Sequence, residues 1–198
     1  MDNQLTIIDN YSLYFRFIDQ YLSGGFKDID RSDPLIVKLE EMTKANNQFF
    51  CLFDLIQLNI LYTSRRSYEM LGIESKDVNP SVFTKSIHSD DLIWHNIVQT
   101  KLFTLGQQIF IDSSGSSLIS TNYRLKRSSG VYINNLFQYY LFFTDVPYKT
   151  VFILQIISDI SWFKRIDPGF HFYMGNDPCY FRYPDEKLLL KGNVFSCK

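Results

Sequence analysis

The side chains able to carry chemistry are few and scattered along this chain. Histidines stand at 88, 95 and 171, and cysteines at 51, 179 and 197. A hydrolytic triad needs a nucleophile held against a base that a third group orients. His88-Ser89-Asp90-Asp91 supplies those residue types, but in sequence order, and helix initiation accounts for them more simply. The hydroxyl would cap the helix and the two carboxylates would face the positive end of its dipole. The chain has no G-x-S-x-G turn and no G-x-x-x-x-G-K-[ST] loop, and Gly24-Gly25 closes a helical pattern instead of opening one. Ser114-Gly115-Ser116-Ser117 reads as a loop. His95 has Gln99 at i+4 where a second metal ligand would stand. The cysteines are odd in number and far apart, unlike a zinc site or a disulfide framework. Catalysis and a resident metal are therefore not expected.

The bulk numbers point the same way. The 198 residues suffice for one sizeable domain with appendages, and 45% hydrophobic with 21% charged residues describes a globular chain. Twenty Lys and Arg against 21 Asp and Glu give a net charge of −1, which does not suit a surface that neutralises many phosphates. Arg124, Lys126 and Arg127 form a local basic group and read as the solvated face of a strand. No apolar run is long enough to span a membrane, and Met1–Asn10 has no basic leader region. With the cysteine usage, this makes a reducing, cytoplasmic setting the expectation. Aromatics are abundant, with 18 Phe, 13 Tyr and 2 Trp, while alanine occurs only at Ala45. An aromatic-lined pocket and a compositional bias account for this equally well.

The elements that must position these residues follow from periodicity. Leu13, Tyr14, Phe17, Ile18, Tyr21 and Leu22 have helical spacing behind an expected cap at Asn10. Asp33-Pro34 starts a second helix with the stripe Leu35, Ile36, Leu39 and Met42. Phe49–Asp54 and Asn59–Thr63 read as strands, followed by short helical turns at Ser67–Leu71 and Val82–Ile87. From Ser89 a long helix carries Trp94, Val98, Leu102, Leu105 and Ile109 to about residue 110. Leu118–Lys126 alternates with period two. After the Ser128-Ser129-Gly130 turn come strands Val131–Phe143 and Thr150–Trp162, separated by Asp145-Val146-Pro147. The last two are apolar on both parities, so their sheet needs a cover on each face: the long helix on one, the N-terminal helices on the other. Asp167–Lys198 reads as turns and short extended pieces, with a brief helix near Asp185–Leu190.

Two strands, small helical turns, one long helix and three long strands is an order that resembles a PAS domain. Ile87-His88-Ser89-Asp90-Asp91 resembles the family's I-H-P-D-D signature, with serine in place of proline. Ile157-Ser158-Asp159-Ile160-Ser161 resembles its D-I-T strand ending. The N-terminal helices and the run from Gly169-Phe170-His171-Phe172-Tyr173 through Phe181-Arg182-Tyr183-Pro184 are similar to the sensory part of PAS-containing LuxR-type transcription regulators of Bacteroidetes. The resemblance implies an α+β fold with a five-stranded antiparallel sheet and a long central helix. It divides the chain into a helical segment (1–47), a PAS domain (48–163) and a C-terminal extension (164–198). DNA binding would then belong to a helix-turn-helix beyond Lys198.

Light-sensing relatives carry a reactive cysteine in an N-C-R-F-L-Q motif, and residues 78–87 contain none. Their glutamine two residues before the terminal aspartate falls here on Ile157, with Gln155 one pleat earlier. Flavin is not expected. Neither is haem, because a lone helical His95 reads as a surface or boundary residue. An unidentified small ligand fits a pocket between the long helix and the sheet. Strand parity points Tyr123, Leu125, Phe137, Tyr139, Ile153, Gln155 and Ile157 toward it, with Phe53, Tyr62, Trp94 and Ile97 as further candidates. Leu13, Phe17 and Tyr21 are candidate contacts of a homodimer. The expectation is a sensory or regulatory domain that binds a ligand or protein partner. Alternatives are a ligand-free interaction module and, more remotely, a small α+β enzyme.

Overall fold

The computed structural model describes residues 6–112, 118–143, 151–162 and 172–175. Helix α1 (Thr6–Leu22) starts one turn earlier than expected, so Asn10 lies inside it. Leu13, Tyr14, Phe17 and Ile18 are its buried stripe. Helix α2 (Pro34–Ala45) begins as its sequence requires, with the Asp33 carboxylate accepting from the Leu35 N–H at 2.7 Å. That carboxylate also accepts from the Tyr21 hydroxyl at 2.7 Å, which ties α2 to α1.

Strands β1 (Gln48–Asp54) and β2 (Asn59–Thr63) form a hairpin. Helices α3 (Ser67–Leu71), α4 (Pro80–Ser86) and α5 (Leu92–Asp112) follow, then β3 (Leu118–Lys126), β4 (Tyr132–Phe143) and β5 (Val151–Asp159). These five strands run antiparallel in the order β2-β1-β5-β4-β3, with α3 to α5 between the second and third strands of the chain. The α+β class, the five-stranded sheet and the long helix are those the PAS resemblance implies. One strand is added. Phe172–Gly175, here β6, pairs along Leu118–Thr121 and extends the sheet beyond β3.

Both sheet faces are covered, which explains why β5 is apolar on each parity: every residue from Val151 to Ile157 is buried. On one face Phe49, Tyr123, Leu125, Phe137, Ile153 and Ile157 meet Met70, Phe83, Val98 and Leu102 from the three later helices. On the other, Phe50, Leu52, Phe152, Leu154 and Ile156 meet α1 and α2. The N-terminal helices are thus half of a second core. Arg31 fastens this layer at the sheet's edge, lying 4.5 Å over the Tyr62 ring and donating to the Thr63 carbonyl at 2.9 Å.

The family-like pentads act as fasteners. His88 Nδ1, not the Ser89 hydroxyl, accepts from the Asp90 N–H at 3.2 Å and caps the short 3-10 turn Ser89–Asp91 before α5. Asp91 grips Arg124 of β3 through both oxygens, at 2.6 Å from Nη2 and 3.0 Å from Nε, and accepts the Arg124 N–H at 2.8 Å. Near the same end of the sheet, Asp159 at the close of β5 pairs with Arg127 and accepts from the Ser161 N–H. Two members of the expected basic face are therefore ion-paired. His171, Cys179, Cys197, the 114–117 loop, the 145–147 break and the helix expected at 185–190 lie outside the described residues.

Candidate functional site

A cavity of about 190 Å³ opens where the β1–β2 hairpin, the start of α4 and the middle of α5 meet the sheet. Its floor is cross-strand. Tyr139 of β4 stands opposite Gln155 of β5, which stands opposite Cys51 of β1, and Ile153 lies one pleat along. Phe53, Leu55 and Leu58 come from the hairpin, Pro80 from α4, and Gln99, Leu102 and Phe103 from α5. Local chemistry sets each wall. The Asp54 carboxylate accepts from the Ile56 and Gln57 N–H groups, both at 2.9 Å, and shapes the hairpin turn. The Asn79 side chain accepts from the Val82 N–H at 3.0 Å and starts α4 behind its proline.

The walls are mostly apolar, and the polar groups are few. The Tyr139 hydroxyl is buried and has no hydrogen-bond partner among the described residues. Burial pushes its pKa well above the ordinary phenol value, so it stays protonated at every physiological pH. The side chains of Gln99 and Gln155 add amide groups to the lining. Cys51, beside Gln155 in the cross-strand row, is fully buried, and its thiol is pushed up to about 12, chiefly by burial. It is inert as a nucleophile.

Of the residues that strand parity points at a pocket, Tyr139, Ile153 and Gln155 line the cavity, and of the further candidates Phe53 does. Tyr123, Leu125, Phe137 and Ile157 share the same core but fill it as packed side chains away from the opening. Trp94 and Ile97 pack partly buried against that core without lining the cavity.

Tyr62 belongs to the opposite face, stacked on Phe50 at 5.3 Å with its hydroxyl donating to Glu40. A bulge is the reason. Asp54 pairs with Asn59 and Phe53 with Ile60, but Leu52 then pairs with Tyr62, so one extra residue shifts the strand. Leu13 and Phe17 are corrected likewise: they are buried against the chain's own sheet, with Tyr21 half-buried beside them. His95 also differs from its expected surface position. It is buried with Nδ1 unpartnered, its ring edge-on to Tyr123 at 5.4 Å, and burial lowers its pKa to about 4.

Sequence reasoning did not assign Asp54, Leu55, Leu58, Pro80, Gln99, Leu102 and Phe103 to the site. The turn and cap signals at Asp54 and Pro80 were readable, but nothing in the sequence brings them to α5. Among the described residues no group of His, Cys, Asp or Glu could hold a metal ion, and no helix is long and apolar enough to cross a membrane.

No protein-family model and no curated protein matches the chain. Solved structures do. The N-terminal domain of a diguanylate cyclase with PAS/PAC sensor from Marinobacter aquaeolei is similar over 58% of this chain and 96% of its own, at 14% identity and a TM-score of 0.41. A sensory box histidine kinase/response regulator from Burkholderia thailandensis is similar over 65% and 88%, at 15% identity and 0.42. The PAS-B domain of Drosophila melanogaster Cycle, solved with bound ethylene glycol, is similar over 56% and 98%, at 13% identity and 0.40.

Proposed function

We propose that this chain is a cytoplasmic sensory module of the PAS type that holds a small ligand in the cavity between α5 and the sheet. The observation that carries this reading is the cavity itself. It is a mostly apolar hollow of about 190 Å³ to whose lining Tyr139, Gln99 and Gln155 contribute. A concave, mostly apolar hollow with a few polar groups is the form that small-molecule sites take. The motif resemblance supports the remainder. The module would serve a transcription regulator, with DNA contacted by an output domain outside these residues. A ligand would act by binding one of two conformations more tightly and shifting the balance between them. No catalytic step and no flavin or haem enters this reading.

The test is a melting-temperature screen of the purified chain against a library of small compounds. At least one compound raises Tm with concentration, as binding to the folded state requires. Gln99→Trp, which fills the cavity from α5, removes that response. A screen in which nothing stabilises the chain counts against the ligand.

One observation favours the alternative of an interaction module. Ile93, Val131 and Trp162, all large apolar side chains, are each more than half exposed to water. Homodimerisation would then use such surfaces, since Leu13 and Phe17 are committed to the chain's own core. Light scattering of Trp162→Ser checks this, and an unchanged mass argues against that surface.

A further inference from the structure

We infer that His88 is a proton-operated joint between α5 and the sheet. Its neutral ring caps the turn ahead of α5, and its imidazolium exchanges that cap for an ion pair with Asp90. This holds whatever occupies the cavity.

The joint is the stretch from Ile87 to Asp91. Ile87 forms an isolated bridge with Leu125 of β3, and the His88 N–H donates to the Arg124 carbonyl at 2.9 Å. Asp91 then returns to the same residue, accepting from the Arg124 N–H and gripping its guanidinium. The chain thus enters α5 pinned along β3. Further on, α5 supplies Gln99, Leu102 and Phe103 to the cavity.

The protonation state matters at one atom. The Asp90 N–H donates to His88 Nδ1 at 3.2 Å. Nδ1 can accept only while it carries no proton, so the cap requires the neutral ring with its hydrogen on Nε2. A proton on Nδ1 sets two donors face to face, and the cap must open. Imidazole is the side chain whose charge ordinarily changes near neutral pH, and this one is 24% exposed, so protons reach it.

A replacement partner already stands beside it. Asp90 Oδ2 lies 3.6 Å from Nδ1 on a carboxylate that is 72% exposed. Arg124 Nη2 is 3.5 Å from the same oxygen, so imidazolium and guanidinium would share it. Asp91 adds a second negative charge in the turn, engaged by Arg124. From β4, Tyr132 sets its ring edge-on to the imidazole at 4.5 Å, and Lys126 of β3 stands opposite Tyr132 in the register. The two carboxylates favour the imidazolium, while Arg124, Lys126 and the positive end of the α5 dipole oppose it. Turning the ring from the backbone N–H to the Asp90 carboxylate satisfies the new proton. The Asp91–Arg124 grip needs no change, so α5 stays docked and the exchange is confined to the turn.

The test follows the full chain by NMR between about pH 5 and 8, the range in which histidines titrate. At the upper end the ring nitrogen shifts should place the hydrogen on Nε2. As pH falls, the Asp90 amide should move with the same midpoint as the His88 ring. Its protection against hydrogen exchange should drop about fivefold, the loss of one cap. His88→Asn, which caps without titrating, should hold that protection constant. Asp90→Asn should keep the cap of the neutral ring and lower the pH at which it opens. A neutral ring with its hydrogen on Nδ1, or an Asp90 amide indifferent to the ring's titration, overturns the joint, and neither measurement needs a variant to fold. An unchanged midpoint in Asp90→Asn overturns Asp90 as the new partner. None of these readouts involves the cavity, so the ligand reading stands or falls separately.

Discussion

His95 has no counter-ion among the described residues, and its burial has a measurable consequence. Its pKa falls from the ordinary 6.5 to about 4, because the imidazolium is disfavoured away from water. Between those values the unfolded chain binds the proton and the folded chain does not, so stability falls as pH drops from about 6.5 towards 4 and is unaffected above that window. The full effect is about 3 kcal/mol. Urea unfolding of the unmodified chain and of His95→Leu over this range should show a flatter profile for the variant. Tyr139 makes a second prediction. Its hydroxyl is desolvated without a partner, so Tyr139→Phe should leave the empty protein unchanged or stabilise it by about 1 kcal/mol, read from the same denaturation experiment. A clear loss of stability would mean that the hydroxyl is already satisfied.

At the scale of elements, Gly72 ends α3 with φ +74°, and a Cβ built there would lie 2.1 Å from Cβ of Ser128 in the β3–β4 turn. Gly72→Ala therefore carries two penalties, a left-handed backbone and a collision, together about 2–4 kcal/mol. Adding Ser128→Gly should recover much of the collision but not the backbone penalty or the 3.1 Å approach to the Ser128 Cα, which a double-mutant cycle separates. Here the sequence showed its strengths and its limits. Period two in β3 and the doubled apolar parity of β5 are local patterns, so the strands, their two covered faces and the helices above them were readable. Tyr62 was misread because a bulge at Leu61 exists only in the pairing of two strands. The cavity was half readable for a related reason. Strand parity gives its floor, but its roof depends on how far α5 is rotated and on which hairpin turn lies beneath Gln99 and Phe103. The I-H-S-D-D and I-S-D-I-S pentads were legible because they are local, yet the contacts they make are with Arg124 of β3 and with Arg127 just past its end.

The molecule as a whole is two cores sharing one sheet, and neither is optional. Removing residues 1–47 would strip the cover from Phe50, Leu52, Phe152, Leu154 and Ile156. The remaining chain is expected to lose cooperative unfolding and to aggregate, which calorimetry and light scattering would register; a soluble fragment with a sharp transition would contradict the two-core arrangement. The sheet's borders carry a further consequence. β6 occupies the outer side of β3, and Arg31 holds the outward carbonyl of Thr63 on β2. A sheet that leaves its rims unpaired is a template on which other strands can grow into fibres. In this chain one rim is the four-residue β6, too short to template much growth, and on the other Arg31 occupies the Thr63 carbonyl of β2. Prolonged incubation of the intact protein should therefore yield little amyloid, and Arg31→Ala, which frees one rim, should shorten the lag before fibres appear.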